Sequence, residues 1–226
     1  TNMTPLLGFS IKSQLGSAST LLNAGEPTNI LYRVCGTKLT DAQIDEINAV
    51  DSHLLRMSAI NNAGCSLQYA DIEHETFKNN LLFLDSNMPQ FIADCLLVDS
   101  MPDSVSDIKD AVERVANQNP LAFKGKNVIA FYEHKMKVLL LDAALGMTPA
   151  KEWNGRYDAN GGYIVVRKDG EIVCYHFYNR NDVEDYLYCN TRFERASRSR
   201  YKYGCLFRGE DGNVYIRLNL QIRFKK

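Results

Sequence analysis

A lysine stands in the middle of a short stretch near the start of the chain, LGFSIKSQLG at 7–16. Side chains alternate along a strand, so Ser10, Lys12 and Gln14 would share one face. Phosphodiester hydrolysis needs a cation beside the scissile phosphate and a metal ion that activates water. One widespread solution places an acid two residues before such a lysine, but here Ser10 stands in the acidic position. The spacing alone therefore leaves two interpretations, a nuclease strand without its acid or a solvated lysine.

Positive charge is concentrated at the C-terminal end of the chain. Residues 192–226 hold ten Lys or Arg against three Asp or Glu, although the formal net charge of the whole chain is −1. Such a distribution favours local binding of a polyanion. The segment 190–204 mixes basic residues with serines and aromatics, which suits phosphate contacts, and the alternative is a solvated basic loop. Its candidate DNA-binding residues are Arg192, Arg195, Arg198, Arg200 and Lys202.

The final stretch, IRLNLQIRF at 216–224, alternates strictly between apolar and polar residues. We expect one strand with an apolar face and a polar face. Arg, Asn and Gln are the side chains that make bidentate contacts with guanine and adenine, although an ordinary amphipathic edge strand has the same pattern. The polar face carries Arg217, Asn219, Gln221 and Arg223. Asn154 and Arg156, in the turn-rich segment 152–163, are further candidates for DNA contact.

Local patterns predict a mixed α/β (α+β) fold around these residues. A strand over 7–15 is expected to pack Phe9 and Ile11 into a core. A short helix is expected over 17–24, with Ser17 or Ser19 as its cap, and a second apolar strand over 28–34. Thr40 caps a predicted helix over 40–50. Helical patterns continue over 74–118, with breaks near the two Met and Pro pairs, and over 126–147.

From Trp153 onwards the pattern changes to β-hairpins. One is predicted around Lys168-Asp169-Gly170 and another around Glu210-Asp211-Gly212, with a short helix over 182–190 between them. The chain therefore divides into nuclease-core strands and a helix over 1–50, a helical region over 51–150, and a β-rich DNA-contacting region over 151–226.

Cysteine and histidine spacing indicates no metal site. The six cysteines are scattered without a C-x-x-C pair, and the four histidines show no ligand spacing. Reduced core cysteines of a cytoplasmic protein are the expected state. The sequence contains no run of 18 apolar residues, so it predicts no membrane-spanning helix.

Several strings resemble one known family, the HpaII-type restriction endonucleases. They are FSIKSQLG, TLLNA, GGYIVV, CYHFYNR and LNLQIRF, and the resemblance is strongest over 6–34 and 139–226. It implies a PD-(D/E)XK nuclease-like mixed sheet core with a helical middle region and C-terminal hairpins. It also implies a type II restriction endonuclease that uses Mg²⁺ and acts on double-stranded DNA as a homodimer. The target is expected to be a short CCGG-like palindrome, and the setting a restriction-modification system in a prokaryotic cytoplasm.

The resemblance also assigns roles near Lys12. Lys12 matches the motif lysine, which stabilises the attacked phosphate or the nucleophilic water. Ser10 stands where the motif acid usually stands, and Gln14 is placed to orient water or phosphate. Glu26, fourteen residues after Lys12, is a candidate metal ligand that would occupy the vacant acidic position. The motif aspartate is expected upstream of Thr1.

Three classes of function remain open at this point. The first is sequence-specific DNA cleavage. The second is a catalytically inactive DNA-binding protein with a nuclease-like fold, an interpretation that rests on Ser10. The third is a structural protein whose basic C-terminal end contacts an acidic partner, such as its own residues 85–113.

Overall fold

The computed structural model describes residues 7–13, 15–16, 18–176, 179–195 and 203–225. Its strands are β1 (Phe9–Ser13), β2 (Thr20–Leu22), β3 (Asn29–Gly36), β4 (Cys65–Ile72), β5 (Gly162–Val166), β6 (Ile172–His176), β7 (Thr191–Phe193), β8 (Leu206–Arg208), β9 (Val214–Asn219) and β10 (Ile222–Phe224). Its α-helices are α1 (Asp41–Ala49), α2 (His53–Asn62), α3 (Glu75–Leu84), α4 (Met88–Ser100), α5 (Ile108–Gln118), α6 (Val128–Leu145) and α7 (Arg180–Asn190). A 3-10 turn covers Glu26–Thr28.

The described strands form three small sheets, ordered β1-β5-β6, β2-β10-β7 and β4-β3-β9-β8. Each sheet joins strands from 1–50 to strands from 151–226. In the first sheet β1 and β5 are parallel, and Phe9 is opposite Gly162. Parallel neighbours require a crossover connection, and here the helices α1–α6 lie between the two strands. The mixed α+β fold is confirmed.

Helix α6 lies directly before β5 in the chain and is buried on most sides. Tyr132, Met136, Leu139 and Leu140 are all fully buried, and α6 packs against α5 and α7. Its C-terminal half, from Leu139 to Leu145, is apolar apart from Asp142, and a helix that is apolar on most sides is stable only inside such a core. The helix ends at Gly146, whose φ of +141° suits glycine.

Most of the predicted elements are present. Strand β3, the middle helices, helix α7 and both hairpins lie where the sequence predicts them. Thr40 caps α1 as expected, since its side chain accepts a hydrogen bond from the Gln43 amide at 3.3 Å. No single helix among the described residues has the length and apolarity to cross a membrane, whereas α3 and α4, bent by 106°, pass that test only as a pair.

The helix predicted over 17–24 is wrong. Its described residues include strand β2, which pairs antiparallel with β10 at the far end of the chain. The Ser19 carbonyl accepts a hydrogen bond from the Phe224 amide at 3.0 Å, so Ser19 is not a helix cap. Leu21 and Leu22 are buried by this pairing. A long-range ladder has therefore overridden a local helical pattern. Ser17 lies outside the described residues.

The expected orientation of β1 is wrong on its apolar face. Ile11 is 64% exposed, whereas Ser10 and Lys12 are half-buried and face other parts of the protein. Phe9 is half-buried and makes an edge contact with His176, with ring centroids 6.1 Å apart. The polar face of the strand is therefore the one that the fold covers.

The stretch 216–224 is not one strand. Strand β9 ends at Asn219, β10 begins at Ile222, and the two belong to different sheets. The Leu220 amide donates to the Thr28 carbonyl at 3.0 Å, at the point where the strand breaks. The predicted apolar side chains are all buried, but the polar residues between them do not form a continuous ladder.

Candidate active site

A cavity of about 530 Å³ lies beside strand β1, and we call it the β1 cavity. Ser10 and Lys12 form one wall, and β2 with the following turn forms another. The C-terminal end of α6 and the loop that follows it complete the lining, which reaches Asp158. The polar face of β1 thus points into a space large enough for a phosphate group and its ligands.

Lys12 is the basic residue among those that line the β1 cavity. Burial lowers the pKa of Lys12, because removal from water disfavours the ammonium form. Among the described residues no carboxylate forms an ion pair with it. A half-buried lysine without an acidic partner is a receptor for an anion, since a bound phosphate would restore its preference for the charged state.

Asp158 is the residue that sequence reasoning missed. It lines the β1 cavity together with Ser10 and Lys12, and it is exposed. The Asp158 amide donates to the Leu145 carbonyl at 3.0 Å. A Cβ at Gly8 would lie 2.3 Å from the Asp158 carbonyl oxygen, so the loop touches the start of β1. The available signal was the position of Asp158 just before the predicted strand GGYIVV.

The loop between α6 and Asp158 is held by one buried side chain, Asn80 on α3. The Asn80 Nδ2 atom donates to the carbonyls of Thr148 at 3.1 Å and Lys151 at 2.8 Å. Its Oδ1 atom accepts a hydrogen bond from the Trp153 amide at 2.8 Å. Three backbone groups that would otherwise need water are satisfied by one amide.

A second recess of about 320 Å³, which we call the loop recess, adjoins the β1 cavity and shares Gly146, Thr148 and Asp158 with it. Lys151, Asn154 and Arg156 line it. All three side chains are exposed, and the Asn154 Oδ1 atom accepts from the Arg156 amide at 3.0 Å. The structure therefore brings two sequence-predicted DNA contacts, Asn154 and Arg156, next to the cavity of Lys12.

The other residues predicted around Lys12 are placed differently. Glu26 is exposed on the 3-10 turn, and although Gly25, Pro27 and Thr28 line the β1 cavity, Glu26 does not. The expectation that Glu26 occupies the vacant acidic position is therefore not met in this conformation. Gln14 lies outside the described residues.

The donors of the β1 cavity suit a hard cation. Among the described residues no group of three or more His, Cys, Asp or Glu side chains is arranged to hold a metal ion. The cavity does offer the Asp158 carboxylate and the Ser10 hydroxyl. Mg²⁺ is usually bound through one or two carboxylates and completes its octahedron with water and substrate phosphates. The oxygen donors present therefore fit Mg²⁺ and would not fit a thiolate- or imidazole-bound metal.

The described arginines of residues 192–226 are all ion-paired. Arg195 donates to the Asp99 carbonyl at 2.6 Å and to Ser104 at 2.8 Å. Arg217 lies 2.6 Å from a Glu73 oxygen and stacks over the Phe207 ring. The remaining pairs join Arg192 and Arg223 to Glu194 and Arg208 to Asp41. These side chains brace the fold in this conformation.

Asn219 is fully buried. Its Nδ2 atom donates to the Gly25 carbonyl at 2.6 Å and to Asn29 Oδ1 at 2.7 Å. Because no base edge can reach it, the prediction that Asn219 reads DNA is wrong. Gln221 is half-buried, and its carbonyl accepts from the Glu194 amide at 3.0 Å. Arg198, Arg200 and Lys202 lie outside the described residues.

Fold and cavity together describe an α+β protein in which Ser10 and Lys12 of β1 line one cavity with Asp158. The chain belongs to the HpaII restriction endonuclease family, whose model matches residues 1–224. The resemblance inferred from the sequence is thereby confirmed. The chain is also 42% identical over 224 residues to the Type II restriction enzyme HpaII of Haemophilus parainfluenzae.

That match covers 99% of this chain, which spans about 62% of the length of the curated relative. No solved structure matches the chain.

Proposed function

We propose that the protein is a type II restriction endonuclease that cuts double-stranded DNA at a specific sequence by metal-dependent phosphodiester hydrolysis. Family membership and the similarity to a type II restriction enzyme support this function. The observation that carries it is the half-buried Lys12, which faces the β1 cavity without an acidic partner among the described residues. An unpaired cation beside such a space is what an attacked phosphate requires.

In this proposal Lys12 holds its ammonium against the scissile phosphate or the attacking water. Charge that develops on the phosphoryl oxygens in the transition state is thereby stabilised. Ser10 shares the cavity wall, and Gln14 follows two residues after Lys12, where it would orient water or phosphate. A bound Mg²⁺ would polarise the phosphate and make the attacking water a stronger nucleophile. The PD-(D/E)XK core is part of the same proposal.

DNA would first be held through its backbone and then read through its bases. The loop recess supplies exposed polar side chains beside the cavity, and the basic segment 190–204 would contact phosphates. The proposed contacts are Asn154, Arg156, Arg192, Arg195, Arg198, Arg200, Lys202, Arg217, Gln221 and Arg223. The described arginines among them would have to exchange carboxylates for phosphates. A homodimer acting on a CCGG-like palindrome in a prokaryotic cytoplasm completes the proposal.

Replacing Lys12 tests the assignment. We expect Lys12→Ala to lower the cleavage rate about 100-fold or more, since loss of one stabilising group in a transition state typically costs that much. Cleavage is measured on plasmid DNA with Mg²⁺, and binding by gel shift with Ca²⁺ in place of Mg²⁺. Lys168→Ala, at the exposed turn between β5 and β6, is the matched control and should cut normally. Undiminished cutting by Lys12→Ala would contradict the proposal.

Ser10 supports a second candidate, a sequence-specific DNA-binding protein without nuclease activity. A strand with serine in the acidic position lacks one of the expected metal ligands. The same plasmid experiment on the unmodified protein separates the two functions. Discrete fragments identify the nuclease, whereas a gel shift without fragments in the presence of Mg²⁺ identifies the inactive binder.

A further inference from the structure

The position of Asp158 relative to β1 is fixed by backbone contacts. The Gly161 amide donates to the Gly8 carbonyl at 2.7 Å, and the Gly8 amide donates to Asn160 Oδ1 at 2.7 Å. The parallel pairing of Phe9 with Gly162 continues this contact. Asp158 therefore lies in the loop that leads into β5, the strand next to β1. From this loop it lines the β1 cavity together with Ser10 and Lys12.

The electrostatic surroundings of Asp158 favour a cation. A Cβ at Gly146, the residue that ends α6, would lie 3.3 Å from Asp158 Oδ2. The C-terminal end of a long helix carries about half a negative charge, which repels a carboxylate and attracts a cation. Among the described residues no Lys or Arg forms an ion pair with Asp158. A negative helix end and an unpaired carboxylate thus border the same space.

Lys12 does not neutralise this charge. Lys12 and Asp158 line one cavity, yet they form no ion pair. The pKa of Lys12 is lowered by burial, and no carboxylate raises it again. The two groups therefore line one cavity of about 530 Å³ without neutralising each other, and a phosphate with its bound cation has the charges to contact both.

We propose that Asp158 supplies the carboxylate that β1 lacks at Ser10, and that it binds the divalent cation of the β1 cavity. The proposal rests on the proposed nuclease function. The competing residue is Glu26, which is exposed like Asp158 but does not line the cavity. The Ser10 hydroxyl and water would complete an oxygen-only shell of the kind that Mg²⁺ prefers.

Direct measurement of metal binding tests the proposal without relying on cleavage. The intact protein is titrated with Mn²⁺, and free Mn²⁺ is quantified by electron paramagnetic resonance. We expect Asp158→Asn to lower Mn²⁺ affinity about tenfold or more, because even partners of a metal ligand are typically worth 10- to 100-fold. Glu26→Gln, and Glu210→Gln at the exposed turn between β8 and β9, should each change the affinity less than twofold.

The outcomes separate the two proposals. If the unmodified protein cuts DNA and Asp158→Asn still binds Mn²⁺ normally, the role of Asp158 is overturned and the nuclease function stands. A loss of Mn²⁺ affinity in Glu26→Gln alone would also overturn it. If the unmodified protein does not cut, the nuclease function itself fails. Asp158→Ala serves as a second variant, and far-ultraviolet circular dichroism confirms that each variant is folded.

Discussion

The β1 cavity and the basic C-terminal region both carry charge that suits DNA, but they hold it in opposite ways. In the cavity Lys12 and Asp158 face one space without ion pairs to each other. Over residues 192–226, every arginine that the structure describes lies within 4 Å of a carboxylate. These arginines are Arg192, Arg195, Arg208, Arg217 and Arg223.

The difference shows that a basic residue in the sequence binds a ligand readily only if the fold has not already paired it with a carboxylate. The acid-rich segment 85–113 supplies partners for the C-terminal end, as in the pairs of Arg195 with Asp99 and Lys225 with Asp107. Internal neutralisation of this kind was the third interpretation of the sequence. An arginine already bound to a carboxylate must lose that partner to gain a phosphate, which reduces the net benefit. Lys12 in the β1 cavity and Arg156 in the loop recess have no ion pair among the described residues that a phosphate would have to replace.

The loop between α6 and Asp158 is held by Asn80, and releasing it should have the largest effect on the cavity. Asn80→Leu removes three hydrogen bonds and leaves the carbonyls of Thr148 and Lys151 and the Trp153 amide unsatisfied. We expect a loss of about 3 kcal/mol in the free energy of unfolding, at about 1 kcal/mol for each bond. Urea unfolding measures it, and cleavage by the folded fraction should also fall. Asn79→Leu, on the neighbouring exposed position of α3, should be nearly neutral. Equal effects of the two variants would contradict the role of Asn80.

The ion-paired C-terminal region contacts a half-buried histidine, His53, which offers a separate test. His53 stacks on Tyr203, with ring centroids 5.0 Å apart. Burial and then the charges of Arg195 and Arg56 lower the pKa of His53 to about 4. In the unfolded chain the same group titrates near pH 6.5. Between these two values the unfolded state binds more protons, so the folded protein loses stability as the pH falls.

We therefore expect His53 to contribute a loss of about 2 kcal/mol of stability between pH 7 and pH 5, at about 1.4 kcal/mol per pH unit below 6.5. The loss is measured as the difference from His53→Phe, because Asp94, whose pKa burial raises to about 6, changes the stability of both proteins in the opposite direction. His53→Phe should remove that loss. Urea titrations at the two pH values measure it, and His134→Gln, on the exposed side of α6, serves as the control. An unchanged acid-side loss in His53→Phe would show that His53 titrates normally.

Local patterns predicted most of the fold because they need only short-range information. The alternation around Lys168-Asp169-Gly170 and the cap of Thr40 are read from a few adjacent residues. The errors all involve distant partners. Strand β2 forms because β10 pairs with it, and Asn219 is buried because two strands converge there. Asp158 reaches the site of Ser10 although 148 residues separate them in the sequence. Lys12 was found from its local spacing, whereas its acidic neighbour in the cavity depends on the register between β1 and β5.

The smallest effect is expected on DNA affinity, when an arginine of the loop recess and an arginine of the C-terminal region are each replaced by alanine. Arg156 is exposed in the loop recess and forms no ion pair among the described residues, whereas Arg217 is bound to Glu73 and covered by Phe207. If DNA contacts the recess, Arg156→Ala should weaken binding by about 1 kcal/mol, roughly fivefold, and should reduce the slope of log affinity against log salt by about one. Arg217→Ala should weaken binding less than Arg156→Ala, because any contact of Arg217 with a phosphate costs its ion pair with Glu73. Gel shifts at several salt concentrations measure both. The reverse order would mean that Arg217 exchanges Glu73 for a phosphate at little cost, and that the C-terminal ion pairs do not weaken DNA binding.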